Sequence, residues 1–459
     1  MSIGYKLVDG TAQDRIDVPA RDAAADTAPM LGWFSRILPL SFFESLKRDL
    51  EIVENACIFT LRVTTWMMLM QRLSSGGTLD TAVSELLNGN GREILEPCRK
   101  VNEGNISANT GAYNRARQRM PEEAARRVAR RSFEQLHAIR SGSGWRERLF
   151  LLDGSSIRLA HSPSLLEVYS PAENQHGQSH WPVMRVAVMH HVMTALAMAP
   201  EFGPMYGQGA VSEQALAEPL IEQLPPASVL IADRNFGVFS VIWQAHSRGH
   251  KVLVRLTAPR AERLNGGALK TEEHKVVWEP SRTDRRGHPS LPADAQIQGR
   301  LIAARPEGMK EDLYLFTTLD ETVPDVVALY RERWNIETDL RSIKEQVRLH
   351  TISARSPKMV ACELLLAIAS YNLIRAVMAE AARQIDVEPR SLSFSRSRSA
   401  FWAFARAVAH TDSAEEFDHH WRLLIRIIGQ CKLYQRYRPP APRAVWHKRP
   451  SFPNRKAPK

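Results

Sequence analysis

Residues 328–347 read ALYRERWNIETDLRSIKEQV, a run of helix-forming residues without Gly or Pro. With Tyr330 as origin and roughly 100° per residue, Arg333 falls at roughly −60°, Glu337 at roughly −20°, Arg341 at roughly +20° and Lys344 at roughly −40°. These side chains share a face about 80° wide, on which one carboxylate stands among three cations. Glu332 and Glu345 lie elsewhere on the wheel, so the face is not the usual ladder of opposite charges four residues apart. A lone acid in a phosphate-attracting row is the pattern of a metal ligand beside a nucleic-acid backbone. The competing reading is a surface helix with ordinary charge mixing.

Upstream, two aspartates close apolar runs: Asp153 in LFLLDGSS and Asp233 in VLIADRNFG. Open α/β sheets place ligands at the carboxyl ends of their strands. An acid there suits a hard cation such as Mg²⁺, which takes a few carboxylate oxygens together with water and phosphate. A single strand-terminal Asp is more often a turn residue or a helix cap. Two of them, with Glu337 on the cationic helix, point to phosphodiester chemistry assisted by two metal ions.

The surrounding chain expects a mixed sheet. Helices are expected over 41–73, 78–87 and 93–102, followed by an arginine-rich strip in SANTGAYNRARQRMPEEAARRVARR (107–131). That strip suits phosphate contact or a solvated helix face. Short strands at 149–152 and 157–160 flank Gly154-Ser155-Ser156, and 184–199 holds one long strand or a hairpin. A helix at 212–224, capped by Ser212, leads to the strand 229–232, a helix at 238–247 and a strand at 251–256. The polar, Gly- and Pro-rich stretch from 257 carries strand-like pieces at 275–278, 298–304 and 313–317. A long helix at 356–385 and further helices at 401–408 and 414–429 follow. The fold class is α/β, a mixed sheet with flanking helices, interrupted by a β-rich insertion and framed by helical N-terminal and C-terminal regions.

Composition narrows the partners. The 459 residues carry a net charge of +11, with a pI of about 9.6, which favours a polyanion and nucleic acid first. Lys432, Arg436, Arg438, Arg443, Lys448, Arg449, Arg455, Lys456 and Lys459 make the last 28 residues purely cationic. Four scattered cysteines form no CxxC pair, so a reducing compartment is expected. The polar opening (1–29) is not a signal peptide, and charges interrupt the most apolar run (361–382), so no membrane span is expected. His176 and His180 flank a Gly and precede a Pro, which argues against a zinc site. His190 and His191 sit in a strand and point to opposite faces. No phosphate loop appears, so ATP use is not indicated.

The spacing Tyr330, two residues, Arg333, three residues, Glu337, six residues, Lys344 resembles the signature of DDE transposases of the insertion-sequence-4 group. LLDGSSIRLA and SEQALAEPLIEQLPPASVLIADRNF resemble the blocks that carry the group's two aspartates, in the same order. The N-terminal helices and PPAPRAVWHKRPSFPNRK resemble its flanking regions, so the likeness covers most of the chain beyond about residue 30. It implies a ribonuclease-H-like fold with Asp153, Asp233 and Glu337 as catalytic metal ligands for Mg²⁺, with Mn²⁺ as the alternative. Tyr330, Arg333 and Lys344 would hold DNA phosphates, and Arg341 shares their face by geometry. The distance 337 − 233 = 104 positions fits an insertion between the second Asp and the Glu. In the group a Trp of that insertion stacks a flipped base; Trp278 is the candidate, although packing is the more common role of such a Trp. Asn235 stands where many relatives have Gly, a change that a left-handed turn would tolerate.

The resemblance further implies cut-and-paste transposition through a hairpin, on double-stranded DNA with terminal inverted repeats and on target DNA. It implies a homodimer in a synaptic complex and a cytoplasmic, nucleoid-associated location. It divides the chain into an N-terminal DNA-binding region (1–145), a first catalytic part (146–256), the β-rich insertion (257–317), a second catalytic part (318–388) and a C-terminal helical region with the basic tail (389–459). Two rival readings are a DNA-binding protein derived from a transposase without catalysis, and a ribonuclease-H-like nuclease without strand transfer.

Overall fold

The computed structural model describes residues 34–54, 57–74, 76–140, 145–174, 177–269, 272–305, 312–346, 352–411 and 413–433. Its centre is a nine-stranded mixed sheet in the order β2-β3-β1-β5-β6-β9-β8-β7, with β4 also paired to β3. The strands are β1 (Leu149–Arg158), β2 (Pro171–Asn174), β3 (Gly177–His191), β4 (Glu201–Pro204), β5 (Val229–Ala232), β6 (Lys251–Leu256), β7 (Glu273–Trp278), β8 (Ile297–Ala304) and β9 (Leu313–Thr317). β1, β5 and β6 are parallel, and their continuous apolar stretches are buried because helices cover both faces. Leu152, Ala232 and Val254 stand side by side across these three strands.

Two sequence expectations change here. β1 is one strand, not two: Gly154, Ser155 and Ser156 pair with Ala187, Val186 and Arg185 of β3, so the turn-forming residues are held extended by a full antiparallel ladder. β5 stops at Ala232 while β1 runs on through Asp153. The strands of the 257–317 segment do not stand apart from the core. β9 pairs with β6, β8 with β9 and β7 with β8, so they prolong the main sheet.

The longer described N-terminal helices are α1 (Leu40–Asp49), α2 (Leu61–Leu73), α3 (Leu79–Leu87), α4 (Gly111–Arg119) and α5 (Glu122–Arg140), and the expected 93–102 helix is reduced to the single turn Arg99–Asn102. The expected 41–73 helix is therefore split, and Thr60 restarts it by accepting the Val63 N–H through its hydroxyl. Helices α6 (Glu213–Glu222) and α7 (Phe239–Ser247) connect the central strands, and Ser212 caps α6 as expected. Then come α8 (Val323–Arg331), α9 (Trp334–Arg341), α10 (Pro357–Gln384), α11 (Phe394–Ala407) and α12 (Ala414–Gly429).

α10 is buried from Met359 to Ala382 on every side, which makes it a central core helix. It is long and apolar enough to cross a membrane, but it is packed wholly inside the fold. Its polar groups find partners there. Asn372 exchanges two hydrogen bonds of 2.8 Å with the Ala197 backbone, and Glu363 pairs with Arg72 and Arg117.

The run 328–347 is not one uniform helix. Residues 332 and 333 form a tight turn between α8 and α9, closed by Arg333 N–H to Tyr330 O at 3.1 Å and Ile336 N–H to Arg333 O at 3.1 Å. Ser342–Gln346 then widens into a π-helical turn. Ile336, Asp339, Leu340 and Ile343 form the buried face beyond the tight turn. The stretch is thus helical across 332–333, where Glu332 and Arg333 keep right-handed helical dihedrals, but its pitch is not uniform.

Candidate active site

Asp153 is the first residue of β1 beyond its β5 pairing, and Asp233 is the first residue after β5 ends. Adjacent strands lie about 4.8 Å apart, so the two acids leave neighbouring strands at one level. The loop after Asp233 is tied back on itself: Asn235 N–H donates to Asp233 Oδ1 at 2.9 Å, and Phe236 N–H to Asp233 O at 3.2 Å. Asn235 therefore serves as a hydrogen-bonding residue; it does not adopt the left-handed conformation that the sequence suggested.

The electrostatics show the acids to be close. Burial pushes the Asp153 carboxyl up to about 6, and the charges of Asp233 and Glu213 add to this, while the Gly154 N–H (2.8 Å from Asp153 Oδ1) and Arg333 oppose it. Two carboxylates at one level, the first of them largely desolvated, offer the donor chemistry that a hard divalent cation would take up.

Cations surround the pair. Arg333 lies with its guanidinium carbon 6.0 Å from the Tyr330 ring centre, and its charge reaches both Tyr330 and Asp153. Burial raises the Tyr330 phenol to about 12, and the ring is only 5% exposed. Tyr330 is thus a buried side chain beside Arg333 and not part of the open face that the wheel suggested. Lys344 is half-buried; desolvation lowers its pKa and Asp153 opposes that shift, which places its ammonium towards the acids. Arg341 is exposed. Glu337 lies on α9, which packs on β1; its side chain lies outside the described residues. Among the described residues no three ligating side chains converge on one point.

The model of the transposase DDE domain family matches residues 144–373, half of the chain. The chain belongs to this family. It falls in the insertion-sequence-4 group: the transposase InsG for insertion sequence element IS4 of Escherichia coli (strain K12) is 26% identical over 297 residues. That similarity covers 62% of this chain and 65% of the relative, so the match spans less than two thirds of the relative's length. The family match contains β1, β5, α8 and α9, and with them Asp153, Asp233 and the Tyr330-to-Lys344 signature.

Other charged residues here carry no signal in the sequence. Arg255 on β6 is level with Asp233, because Val254 pairs with Ala232, and its charge acts on Tyr330. Glu213, the first residue of α6, lies against Gly154 and accepts a hydrogen bond from Asn235 Nδ2. An acid in the first turn of a helix reads as an ordinary partner of the helix dipole, so nothing in the local pattern singles it out. Asp339, two residues after Glu337, is fully buried between Arg375 and Arg390.

Other expected residues sit elsewhere. Trp278 is 8% exposed and packs edge-on against Phe316, with ring centres 5.0 Å apart, and against Phe239 at 6.4 Å. It is a core side chain, which corrects the expectation of a DNA-facing ring. The arginine-rich strip is largely spent within the fold: Arg117 pairs with Glu363, Arg126 with Glu201 and Glu122, and Arg127 with Asp49 and Glu123. Arg115 and Arg119 remain exposed on α4. His176 and the basic tail beyond 433 lie outside the described residues, and His180 stacks on His161 at 4.1 Å.

Proposed function

We propose that this chain is the transposase of an insertion sequence, which cuts the ends of its element and joins them to target DNA by a cut-and-paste route. The observation that carries this reading is the placement of Asp153 and Asp233 at one level on adjacent parallel strands, in a chain of the transposase DDE domain family. The order β4-β3-β1-β5-β6, antiparallel then parallel, supports a ribonuclease-H-like core. The division into 1–145, 146–256, 257–317, 318–388 and 389–459 belongs to this proposal.

In this reading Asp153, Asp233 and Glu337 hold divalent ions, Mg²⁺ or Mn²⁺, which would activate the attacking oxygen and stabilise the leaving 3′ oxygen. Arg333, Lys344 and Arg255 offer cations to the scissile phosphate and its neighbours, and Tyr330, buried beside Arg333, would help to hold that guanidinium. Arg341, exposed on α9, would meet flanking phosphates. The double-stranded terminal repeats and the target DNA are the partners, bound by a homodimer that brings two ends together in the cytoplasm.

The test is a duplex carrying the terminal repeats that flank this reading frame, incubated with the protein and Mg²⁺. Nicks, hairpins and joint molecules are expected from the native chain, and none from Asp153→Asn, Asp233→Asn or Glu337→Gln at unchanged duplex affinity. Cleavage by the Glu337→Gln protein would remove that residue from the role. Free ends without hairpins or joint molecules would instead mark a nuclease.

A further inference from the structure

We infer that Glu213 is a positioning residue of the catalytic site, a strut that sets the spacing between Asp153 and Asp233. The inference rests on the proposed role of that pair. The strand that carries Asp153 and the loop that carries Asp233 both meet this one carboxylate. On the Asp153 side it lies flat against the Cα of Gly154, so closely that a Cβ at 154 would run into its carboxyl carbon and both oxygens. On the Asp233 side it accepts a hydrogen bond from Asn235 Nδ2, and the Asn235 N–H in turn holds Asp233 Oδ1 at 2.9 Å.

The neighbouring residue reinforces the second link. Gln214 Nε2 donates to Asn235 O at 2.8 Å and to Asn235 Oδ1 at 3.1 Å, which fixes the amide so that its Nδ2 faces Glu213. The first turn of α6, capped by the Ser212 hydroxyl on the Ala215 N–H at 3.0 Å, is therefore clasped to the Asp233 loop by two consecutive residues. A carboxylate is well placed at this first turn, where the helix dipole favours negative charge. Gly154 lets the carboxylate sit here, and a methyl at 154 would push this flexible side chain aside. Its backbone is extended and paired with Ala187, and the missing side chain makes room for Glu213.

Partners of metal-ligating carboxylates that fix orientation without touching the metal typically contribute about 10–100-fold in metal affinity or activity. The test uses the full chain without DNA, titrated with Mn²⁺ by calorimetry, together with nicking of the terminal-repeat duplex and a circular-dichroism melt. Glu213→Ala is expected to weaken Mn²⁺ binding and nicking by about 10–100-fold. Glu213→Gln, which keeps an oxygen for Asn235 Nδ2, is expected to recover most of both. Gly154→Ala is expected to reproduce the defect by displacing the strut, and adding Glu213→Ala to it is expected to cost nothing more, because both changes break one contact.

Unchanged Mn²⁺ affinity in Glu213→Ala would overturn the inference, and so would a double variant whose defect is the product of the two single ones. A Gln variant as impaired as the Ala variant would show that the charge itself is needed and would also overturn it. Asp153→Asn and Asp233→Asn are measured alongside. If these retain Mn²⁺ binding and nicking, the parent reading of the aspartates fails. If they lose both while Glu213→Ala keeps both, only the strut fails.

Discussion

Asp339→Asn is expected to be among the most destabilising single-atom changes in this chain. The Asp339 side chain is fully buried on α9 and accepts from Arg375 Nη2 at 3.0 Å and from Arg390 Nη1 at 2.9 and 2.8 Å. The two guanidiniums have neutral partners as well, the Tyr371 hydroxyl at 2.8 Å from Arg375 Nε and the Val192 carbonyl for Arg390. Replacing the acid by an amide keeps the shape and leaves two poorly solvated cations without their shared counter-charge. Breaking a buried ion pair on one side costs about 3–5 kcal/mol. At about 2–4 °C per kcal/mol for a cooperative unit of 150–250 residues, the melting midpoint should fall by about 6–20 °C. The assay is a melt of the DNA-free protein followed by circular dichroism at one fixed scan rate, since a chain of this length can unfold irreversibly. A control replaces the whole triad by Asp339→Leu, Arg375→Met and Arg390→Met, which should recover most of the loss because no charge is left stranded. A midpoint for Asp339→Asn within about 2 °C of the native protein would refute the charge argument, being less than 1 kcal/mol on this scale. A triple variant as unstable as the single one would show that packing geometry, not charge compensation, holds α9 in place.

Two further outcomes follow from the same core. Burial lowers the His190 imidazole from 6.5 to about 4, against the raising effect of Asp339, so between those values the unfolded chain binds a proton that the folded chain refuses. Stability should therefore fall as pH drops from 6.5 towards 4, and His190→Leu should flatten that acid limb in melts across the range; equal slopes would show that His190 does not contribute. Trp278→Ala should cost about 3–5 kcal/mol of stability, the usual penalty for emptying a large aromatic site, while the folded protein keeps its DNA affinity. A selective loss of DNA binding at unchanged melting temperature would return Trp278 to a DNA-facing role.

Much of this protein was already legible along the chain. The apolar runs at 229–232 and 251–256, each long enough for one buried strand and followed by turn or helix signals, determine the parallel centre of the sheet. The Tyr330, Arg333, Glu337 and Lys344 spacing and the two aspartates at the ends of apolar runs determine the family, because such chemistry depends on residue type and order. Tertiary structure decided the rest. Gly154-Ser155-Ser156 has a turn composition, but β3 offers a partner for every residue, and ladder hydrogen bonds outweigh that weak local preference. The 328–347 run has uniform helix propensity, yet its winding tightens at 332–333 and widens at 342–346, with Ile336, Asp339 and Ile343 facing the core. Glu213 and Asp339 look like any surface acid in the primary structure. Their roles arise from Gly154, Asn235, Arg375 and Arg390, which approach them only once the chain has folded, and no local pattern encodes a partner so distant in sequence.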